Sequence, residues 1–189
     1  MLKLKILVVG PCEVGKTFFS NFVADQSENT MGDYRPTKGV RILEFECGDV
    51  RLKGRSGGVE VELWDCSGDH KYEGCWAAMA KDASGIVFIY NPDQPSQEKD
   101  LESWHTYFTG ASKVKSSQCV LAARSLSNPS SSQGQSYLPP VFSKMTSIKS
   151  NIDGEPEAVK QDFNRFLENV GNAMSEKNEQ EELNIVRES

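Results

Sequence analysis

The sequence predicts an α/β fold, in which a mainly parallel sheet of six strands carries helices on both faces. Short apolar runs and amphipathic stretches alternate along the chain, which is typical of β-α-β units. Two of the apolar runs, residues 4–9 and 85–90, are apolar at nearly every position, as expected of strands buried on both faces. A length of 189 residues fits one domain.

The predicted strands are of two kinds. Residues 4–9 and 85–90 read as central strands, whereas Val59, Val61 and Leu63 alternate with glutamates and predict a strand with one buried face. The Gly-rich, charged stretch 48–58 suits an exposed hairpin between two strands. The six predicted strands are residues 4–9, 40–47, 59–65, 85–90, 118–123 and 145–150.

Three helices are predicted from apolar residues at helical spacing. Pro156 suits the first turn of the last one, because a proline there sacrifices no helical hydrogen bond. The helices and their apolar residues are 17–24 (Phe19, Phe22, Val23), 96–110 (Leu101, Trp104, Phe108) and 156–170 (Val159, Phe163, Phe166, Val170).

The remaining stretches are predicted to lack regular structure. Polar residues 25–38 read as a long loop, and residues 125–140, with six Ser and three Pro, as a flexible loop. Residues 172–189 carry five Glu against one Lys and one Arg, so we expect a disordered acidic tail or a helix that orders only on a partner. The predicted domain is therefore residues 1–171, followed by the tail 172–189.

Composition excludes several classes of protein. A net charge of −6 and a pI near 5.1 argue against a nucleic-acid partner, which requires a basic face. The apolar runs are far shorter than the roughly 20 residues that span a bilayer. Five scattered cysteines do not form a disulfide framework, so we expect a protein of a reducing compartment.

A phosphate-binding loop is the strongest motif. A buried strand precedes it and an amphipathic helix follows, so its backbone N–H groups and the helix dipole are expected to bind phosphate oxygens. Lys16 would reach the β- and γ-phosphates, and the Thr17 hydroxyl would ligate Mg²⁺. The match to G-x-x-x-x-G-K-[ST] comprises Gly10, Pro11, Cys12, Glu13, Val14, Gly15, Lys16 and Thr17.

Two later fragments are expected to complete a magnesium and γ-phosphate site. Asp65 ends a predicted strand and begins Asp65-Cys66-Ser67-Gly68, in which the carboxylate would hold Mg²⁺ through water and Gly68 would approach the γ-phosphate. Thr37, within the run 34–39 (YRPTKG), would close over Mg²⁺ when the γ-phosphate is present. The predicted metal-binding residues are thus Thr17, Thr37 and Asp65.

Together these motifs resemble those of the Ras-superfamily small GTPases of the Rab-like kind, over nearly the whole chain. The stretches that carry the resemblance are 5–17 (KILVVGPCEVGKT), 34–46 (YRPTKGVRILEFE) and 62–69 (ELWDCSGD). It implies the small G-protein fold, Mg²⁺ and GTP or GDP as cofactors, and the phosphate and metal roles given above.

Among these proteins, the chain resembles the Rab-like subunits of the intraflagellar transport B complex. That resemblance implies coiled-coil subunits of the complex as partners, ciliary or flagellar transport as the process, and cytoplasm and cilium or flagellum as the location. No Cys follows Cys119, so the lipid anchor of ordinary Rab proteins is not expected.

Two departures from the family bear on activity. Asp69 stands where active small GTPases have a water-orienting Gln, which predicts slow hydrolysis; Asp69 also suits the start of the next helix. The guanine-reading motif N-K-x-D is absent after strand 118–123, and Ser150 and Asn151 are a weak match to the later base-contacting segment. GTP is the nucleotide that the family implies, and ATP or loose discrimination is the alternative.

Two functions remain open from the sequence. One is a nucleotide-binding subunit that docks with little hydrolysis; the other is a GTP-hydrolysing switch whose catalytic group comes from a partner. No catalytic residue is assigned. Trp64 is out of phase with the buried residues of its strand, so it either forms a partner-binding patch or is covered by a helix.

Overall fold

The computed structural model describes residues 1–26, 35–54, 57–94, 96–124, 138–143, 145–148 and 151–188. Its strands are β1 (Leu2–Val9), β2 (Val40–Cys47), β3 (Val59–Cys66), β4 (Gly85–Tyr90), β5 (Cys119–Ala123) and β6 (Thr146–Ile148). Its helices are α1 (Lys16–Val23), α2 (Trp76–Ala80), α3 (Gln97–Ser112) and α4 (Pro156–Glu188). A 3₁₀ turn at His70–Cys75 leads into α2.

The strands form one six-stranded sheet in the order β2-β3-β1-β4-β5-β6. Strand β2 runs antiparallel to β3, and every other pair is parallel. This arrangement confirms the predicted mainly parallel α/β sheet. Parallel strands place their carboxyl ends at one edge, so the loops after β1, β3, β4, β5 and β6 converge there.

Two apolar cores cover the two faces of the sheet. On one face α1 and α4 pack against the even-numbered side chains of β1, and Phe19 meets Phe163 edge-on with ring centroids 5.9 Å apart. On the other face α2 and α3 pack through Trp76 and Trp104, both buried, with ring centroids 4.4 Å apart. The expectation of helices on both faces is therefore confirmed.

Helix α4 differs from expectation, because it continues to Glu188 where we expected an acidic tail after residue 171. Packing extends past the expected boundary: Ser175 is buried, and the Asn172 side-chain oxygen accepts from the Lys53 backbone N–H at 2.9 Å. Farther along, Lys177 and Glu181 pair at i,i+4 spacing, and Leu183 is exposed. The bond to Asn172, the burial of Ser175 and the Lys177–Glu181 pair favour a helix that continues past residue 171.

Several sequence-based expectations lie outside the described residues. These are Tyr34 and most of the loop 25–38, most of the loop 125–140, and Ser150. Strand β6 ends at Ile148, two residues short of its predicted end, and those two residues are also not described. Within the described part of the chain, no helix combines the length and the apolar character that crossing a membrane requires.

Candidate functional site

The loop between β1 and α1 has the tight backbone that the motif predicts. Gly10 adopts φ +143°, and a Cβ there would lie 2.0 Å from the Ile89 carbonyl oxygen of β4. Gly15 adopts φ +85° as the N-terminal cap of α1. Glycine tolerates a positive φ and, at Gly10, a neighbouring backbone too close for a Cβ, so these two positions allow the chain to curl immediately before the helix.

The amino end of α1 is open to an anion. Gly15 provides no capping side chain, and no acidic residue lies in the first turn. The first N–H groups of a helix have no partner within the helix and carry its positive dipole end. The loop therefore presents backbone donors and a favourable potential at one point, as phosphate binding requires.

Lys16 is held inside this curl. Its ammonium group donates to the carbonyl oxygens of Gly10 at 3.0 Å and Pro11 at 2.6 Å, and the residue is 7% exposed. Burial lowers the pKa of Lys16, and the nearby Asp65 carboxylate opposes that shift. An ammonium has three protons, so one donor remains for a phosphate oxygen after these two contacts.

Three oxygen-bearing side chains from distant parts of the sequence meet beside the loop. The Thr17 hydroxyl donates to Asp65 Oδ2 at 2.7 Å and lies 2.9 Å from the Thr37 hydroxyl, which is itself 3.4 Å from Asp65 Oδ2. Asp65 is fully buried, and its Oδ1 atom has no hydrogen-bond partner among the described residues. Two hydroxyls and a carboxylate with a spare buried oxygen fit Mg²⁺, a hard cation that prefers oxygen ligands.

The charge of Asp65 is supported by Arg41, a residue that sequence reasoning missed. Burial raises the pKa of Asp65, while the Thr17 hydroxyl and the Arg41 guanidinium oppose that shift. Arg41 stands opposite Asp65 in the antiparallel register of β2 and β3, and also donates to the Asn21 side-chain oxygen at 2.6 Å. The Arg41–Asp65 pair depends on the register of β2 and β3, so it could be recognised only once the two strands were aligned.

Gly68 lies directly against the phosphate loop. A Cβ built on Gly68 would be 2.5 Å from the Cys12 backbone nitrogen and 2.7 Å from the Pro11 carbonyl oxygen. The turn after β3 and the loop after β1 therefore touch through their backbones. A γ-phosphate bound by the loop would meet the Gly68 segment, as the motif predicts.

Asp69 begins the 3₁₀ turn after this segment. Its carboxylate accepts from the Lys71 backbone N–H at 3.0 Å and pairs with the Lys71 ammonium at 2.6 Å. These contacts with Lys71 hold the pKa of Asp69 below its ordinary value. Asp69 is thus an ionised capping residue, which has no proton to donate to a phosphate oxygen.

The opposite side of the loop contains Arg124, a second residue that sequence reasoning left without a role. It follows β5 directly; its NH1 group donates to the Gly15 carbonyl at 3.2 Å and its guanidinium carbon lies 4.0 Å from the centre of the Phe18 ring. Asn151 is exposed, and its side-chain oxygen accepts from the Gly154 N–H at 3.1 Å. Asn151 therefore shapes its own turn.

Trp64 is partly buried and packs at the edge of the core formed with α2 and α3. The Lys5 ammonium lies 3.6 Å from the centre of its ring, and the Lys5 ammonium also donates to the Lys81 carbonyl at 2.7 Å. Of the two alternatives for Trp64, the structure combines features of both. The Lys5 ammonium covers one face of the ring, and Trp64 remains partly exposed.

Comparison with known proteins agrees with this geometry. Residues 5–126 match the family model described as Roc, the Ras of Complex domain of DAPkinase. The chain is 42% identical over 186 residues to the intraflagellar transport protein 22 homolog of Danio rerio, an alignment that covers 98% of this chain and 100% of the relative. The human homolog of the same name is also 42% identical over 186 residues, with the same coverage.

A solved structure has the same fold. The GTP-bound crystal structure of T. brucei IFT22/74/81 superposes with a TM-score of 0.74 at 25% identity, covering 93% of this chain and 98% of that chain. The family model covers the phosphate loop, the Thr37 segment and the Asp65–Gly68 turn, so the matched region contains the whole cluster described above.

Proposed function

Since the chain belongs to the Ras-like GTPases and, within them, to the intraflagellar transport protein 22 family, we propose that it is a guanine nucleotide-binding subunit of an intraflagellar transport assembly. The observation that carries this proposal is the convergence of Thr17, Thr37 and Asp65 beside an open helix end. Thr37 and Asp65 lie 20 and 48 positions after Thr17 in the sequence, yet both side chains are within hydrogen-bond distance of the Thr17 hydroxyl. Such a cluster of oxygen atoms would suit Mg²⁺ and a triphosphate.

The proposed nucleotide site uses the residues that the motifs indicate. Backbone N–H groups of the loop and the Lys16 ammonium would bind the phosphates, and Gly68 would meet the γ-phosphate. Thr17 and Thr37 would ligate Mg²⁺ directly, and Asp65 through water; the ion would neutralise phosphate charge when bound. The loop residues in this assignment are Gly10, Pro11, Cys12, Glu13, Val14, Gly15, Lys16 and Thr17.

Slow hydrolysis is part of the proposal. Asp69 is ionised and engaged by Lys71, so it does not replace the Gln that orients the attacking water in active GTPases. Its carboxylate cannot donate to a γ-phosphate oxygen, and its negative charge would repel the phosphate. The bound nucleotide would then serve mainly to hold the Thr37 segment against Asp65 and so to shape a docking surface.

The proposed partners follow from a relative. The T. brucei protein forms an IFT22/74/81 complex in its GTP-bound crystal structure. We infer that this chain binds the corresponding subunits 74 and 81, through coiled-coil segments, and works in the cytoplasm and in the cilium or flagellum.

Nucleotide titration tests the proposal. Fluorescent GTP and GDP should bind the wild-type protein in the presence of Mg²⁺, and Thr17→Asn should weaken GTP binding by more than about tenfold by displacing the metal ligand. Thr106→Asn, at an exposed position of α3, is the matched control and should leave affinity unchanged. A wild-type protein that binds neither nucleotide would show the proposal to be wrong.

Docking and hydrolysis need their own measurements. Co-purification with subunits 74 and 81 should be stronger with GTP than with GDP, and Thr17→Asn should weaken it. Single-turnover hydrolysis should be very slow for the protein alone. If adding the two subunits accelerates hydrolysis by more than about a hundredfold, the protein is instead a switch whose catalytic group comes from a partner.

A further inference from the structure

Arg124 lies where a nucleotide base would extend from the phosphate loop. The loop follows β1, and the Thr17–Thr37–Asp65 cluster lies on the side of β3, its neighbour in the sheet. Under the proposed function, phosphates and metal would occupy that side, so the rest of a nucleotide would extend the other way, along the carboxyl ends of β4, β5 and β6. Arg124 is the first residue after β5.

The side chain is held firmly in this position. The Arg124 backbone N–H donates to the Tyr90 carbonyl of β4 at 2.9 Å, and NH1 donates to the Gly15 carbonyl at 3.2 Å. The guanidinium carbon lies 4.0 Å from the centre of the Phe18 ring of α1. Because β4, the phosphate loop and α1 all contact Arg124, its position relative to bound phosphates is set by the fold.

The hydrogen-bond donors of the Arg124 guanidinium determine which base it prefers. A guanidinium has five N–H donors and no acceptor, and the Gly15 contact uses one of them. Guanine presents two acceptors side by side, O6 and N7, and an arginine fork is the commonest partner of that edge. Adenine presents an amino group in place of O6, so it would set donor against donor.

We propose that Arg124 selects guanine over adenine by donating hydrogen bonds to O6 and N7 of the base, a role that rests on the nucleotide binding proposed above. It gives this chain base discrimination although no N-K-x-D motif follows β5. Burial lowers the pKa of Arg124, and the negative charge of Asp153, in the turn before α4, opposes that shift. The Asn151 side chain is bound within its own turn, so it does not compete for this role.

Variants test the inference through a ratio of affinities. Arg124→Met should weaken GDP binding by about tenfold and ADP binding by less than about threefold, so the preference for guanine falls. Arg124→Lys retains the charge but not the fork, and should also lower the preference. Arg165→Met removes an exposed arginine of α4 and should change neither affinity. Thermal melting confirms that each variant is folded.

Nucleotide analogues test the wild-type protein, so the inference stays testable even if a variant fails to fold. The 7-deaza analogue of GDP lacks the N7 acceptor and should bind about tenfold more weakly than GDP. IDP keeps O6 and N7 but lacks the 2-amino group, and should bind within about threefold of GDP. In Arg124→Met, GDP and 7-deaza-GDP should bind equally.

The outcomes distinguish a failure of base selection by Arg124 from a failure of the proposed nucleotide binding. If the wild-type protein binds no nucleotide, the proposed function is wrong. If it binds GDP but the 7-deaza analogue binds equally well, or Arg124→Met keeps the guanine preference, Arg124 does not read the base. If IDP binds more than about tenfold more weakly than GDP, the 2-amino group rather than O6 and N7 dominates the selection of guanine, and the inference is again overturned.

Discussion

The Arg41 guanidinium lies 3.5 Å from Asp65 Oδ2, the same buried oxygen that accepts the Thr17 hydroxyl. A cation is thus already in place at the carboxylate that would hold Mg²⁺ through water. Arg41 enters from β2, the strand that directly follows the Thr37 segment. The ion pair therefore links the metal site to the segment that is expected to move with the nucleotide.

Replacing Arg41 should separate folding stability from metal binding. Arg41→Gln leaves a buried carboxylate without its charged partner, which should lower the free energy of unfolding by about 1–2 kcal/mol without Mg²⁺. Removing the competing positive charge should also increase the stabilisation by Mg²⁺ and nucleotide. Urea denaturation with and without the ligands measures both effects.

Arg165→Gln is the control for that experiment, because Arg165 is two-thirds exposed and pairs with Asp162 on the same helix. It should change stability by less than about 0.5 kcal/mol. Equal stability and equal response to Mg²⁺ in Arg41→Gln and the wild type would mean that the Arg41–Asp65 contact neither stabilises the fold nor affects metal binding.

Gly68→Ala should disturb the contact between the turn after β3 and the phosphate loop. The added methyl would meet the Cys12 nitrogen and Pro11 oxygen, which are backbone atoms that cannot move aside independently. We expect GTP affinity to fall by about tenfold or more and GDP affinity to fall less, because Gly68 is proposed to meet the γ-phosphate. Gly74→Ala, with nothing within 4 Å of the added methyl, should bind both nucleotides normally. Similar losses in both variants would contradict this account.

Nucleotide should protect Cys12 from alkylation. Cys12 and Cys75 are both exposed, but Cys12 lies in the phosphate loop and Cys75 lies at the end of the 3₁₀ turn. Iodoacetamide should label both in the free protein, and Mg²⁺ with GTP should slow labelling at Cys12 by about tenfold or more. Peptide mass spectrometry measures the rates site by site, with Cys75 as the internal reference. Equal protection at both sites would indicate a general change in access rather than binding at the loop.

Alkaline pH should destabilise the protein partly through Cys119. Burial raises the pKa of the Cys119 thiol to about 12, above its ordinary value of 9.0. Between these values the unfolded state loses the proton that the native state retains, so stability falls as pH rises. From about pH 8 to about pH 10 the wild type should lose about 1 kcal/mol more than Cys119→Ala, measured by urea denaturation. Identical losses would mean that Cys119 titrates normally in the folded protein.

The elements that local pattern determines were predicted well. The bounds of β2 and β4 match the predicted strands, because β-branched and apolar residues end there at glycines, charges or turn residues. The long α4 was predicted less well. Its length depends on contacts with neighbouring elements, such as the bond between Lys53 and Asn172, rather than on its own composition.

By itself the sequence determined the order of the six strands and the three longer helices and the position of the phosphate loop, because spacing and residue type along a short stretch dictate both. The short helix α2 was not predicted. It also indicated Thr37 and Asp65 as partners of Thr17, although their meeting is a property of the folded sheet. Only the tertiary structure decided that Arg41 faces Asp65 and that Arg124 contacts Gly15. Those contacts join residues 24 and 109 positions apart. The register of β2 and β3 brings Arg41 to Asp65, and the order of strands in the sheet brings the end of β5 to the phosphate loop, neither of which a local pattern contains.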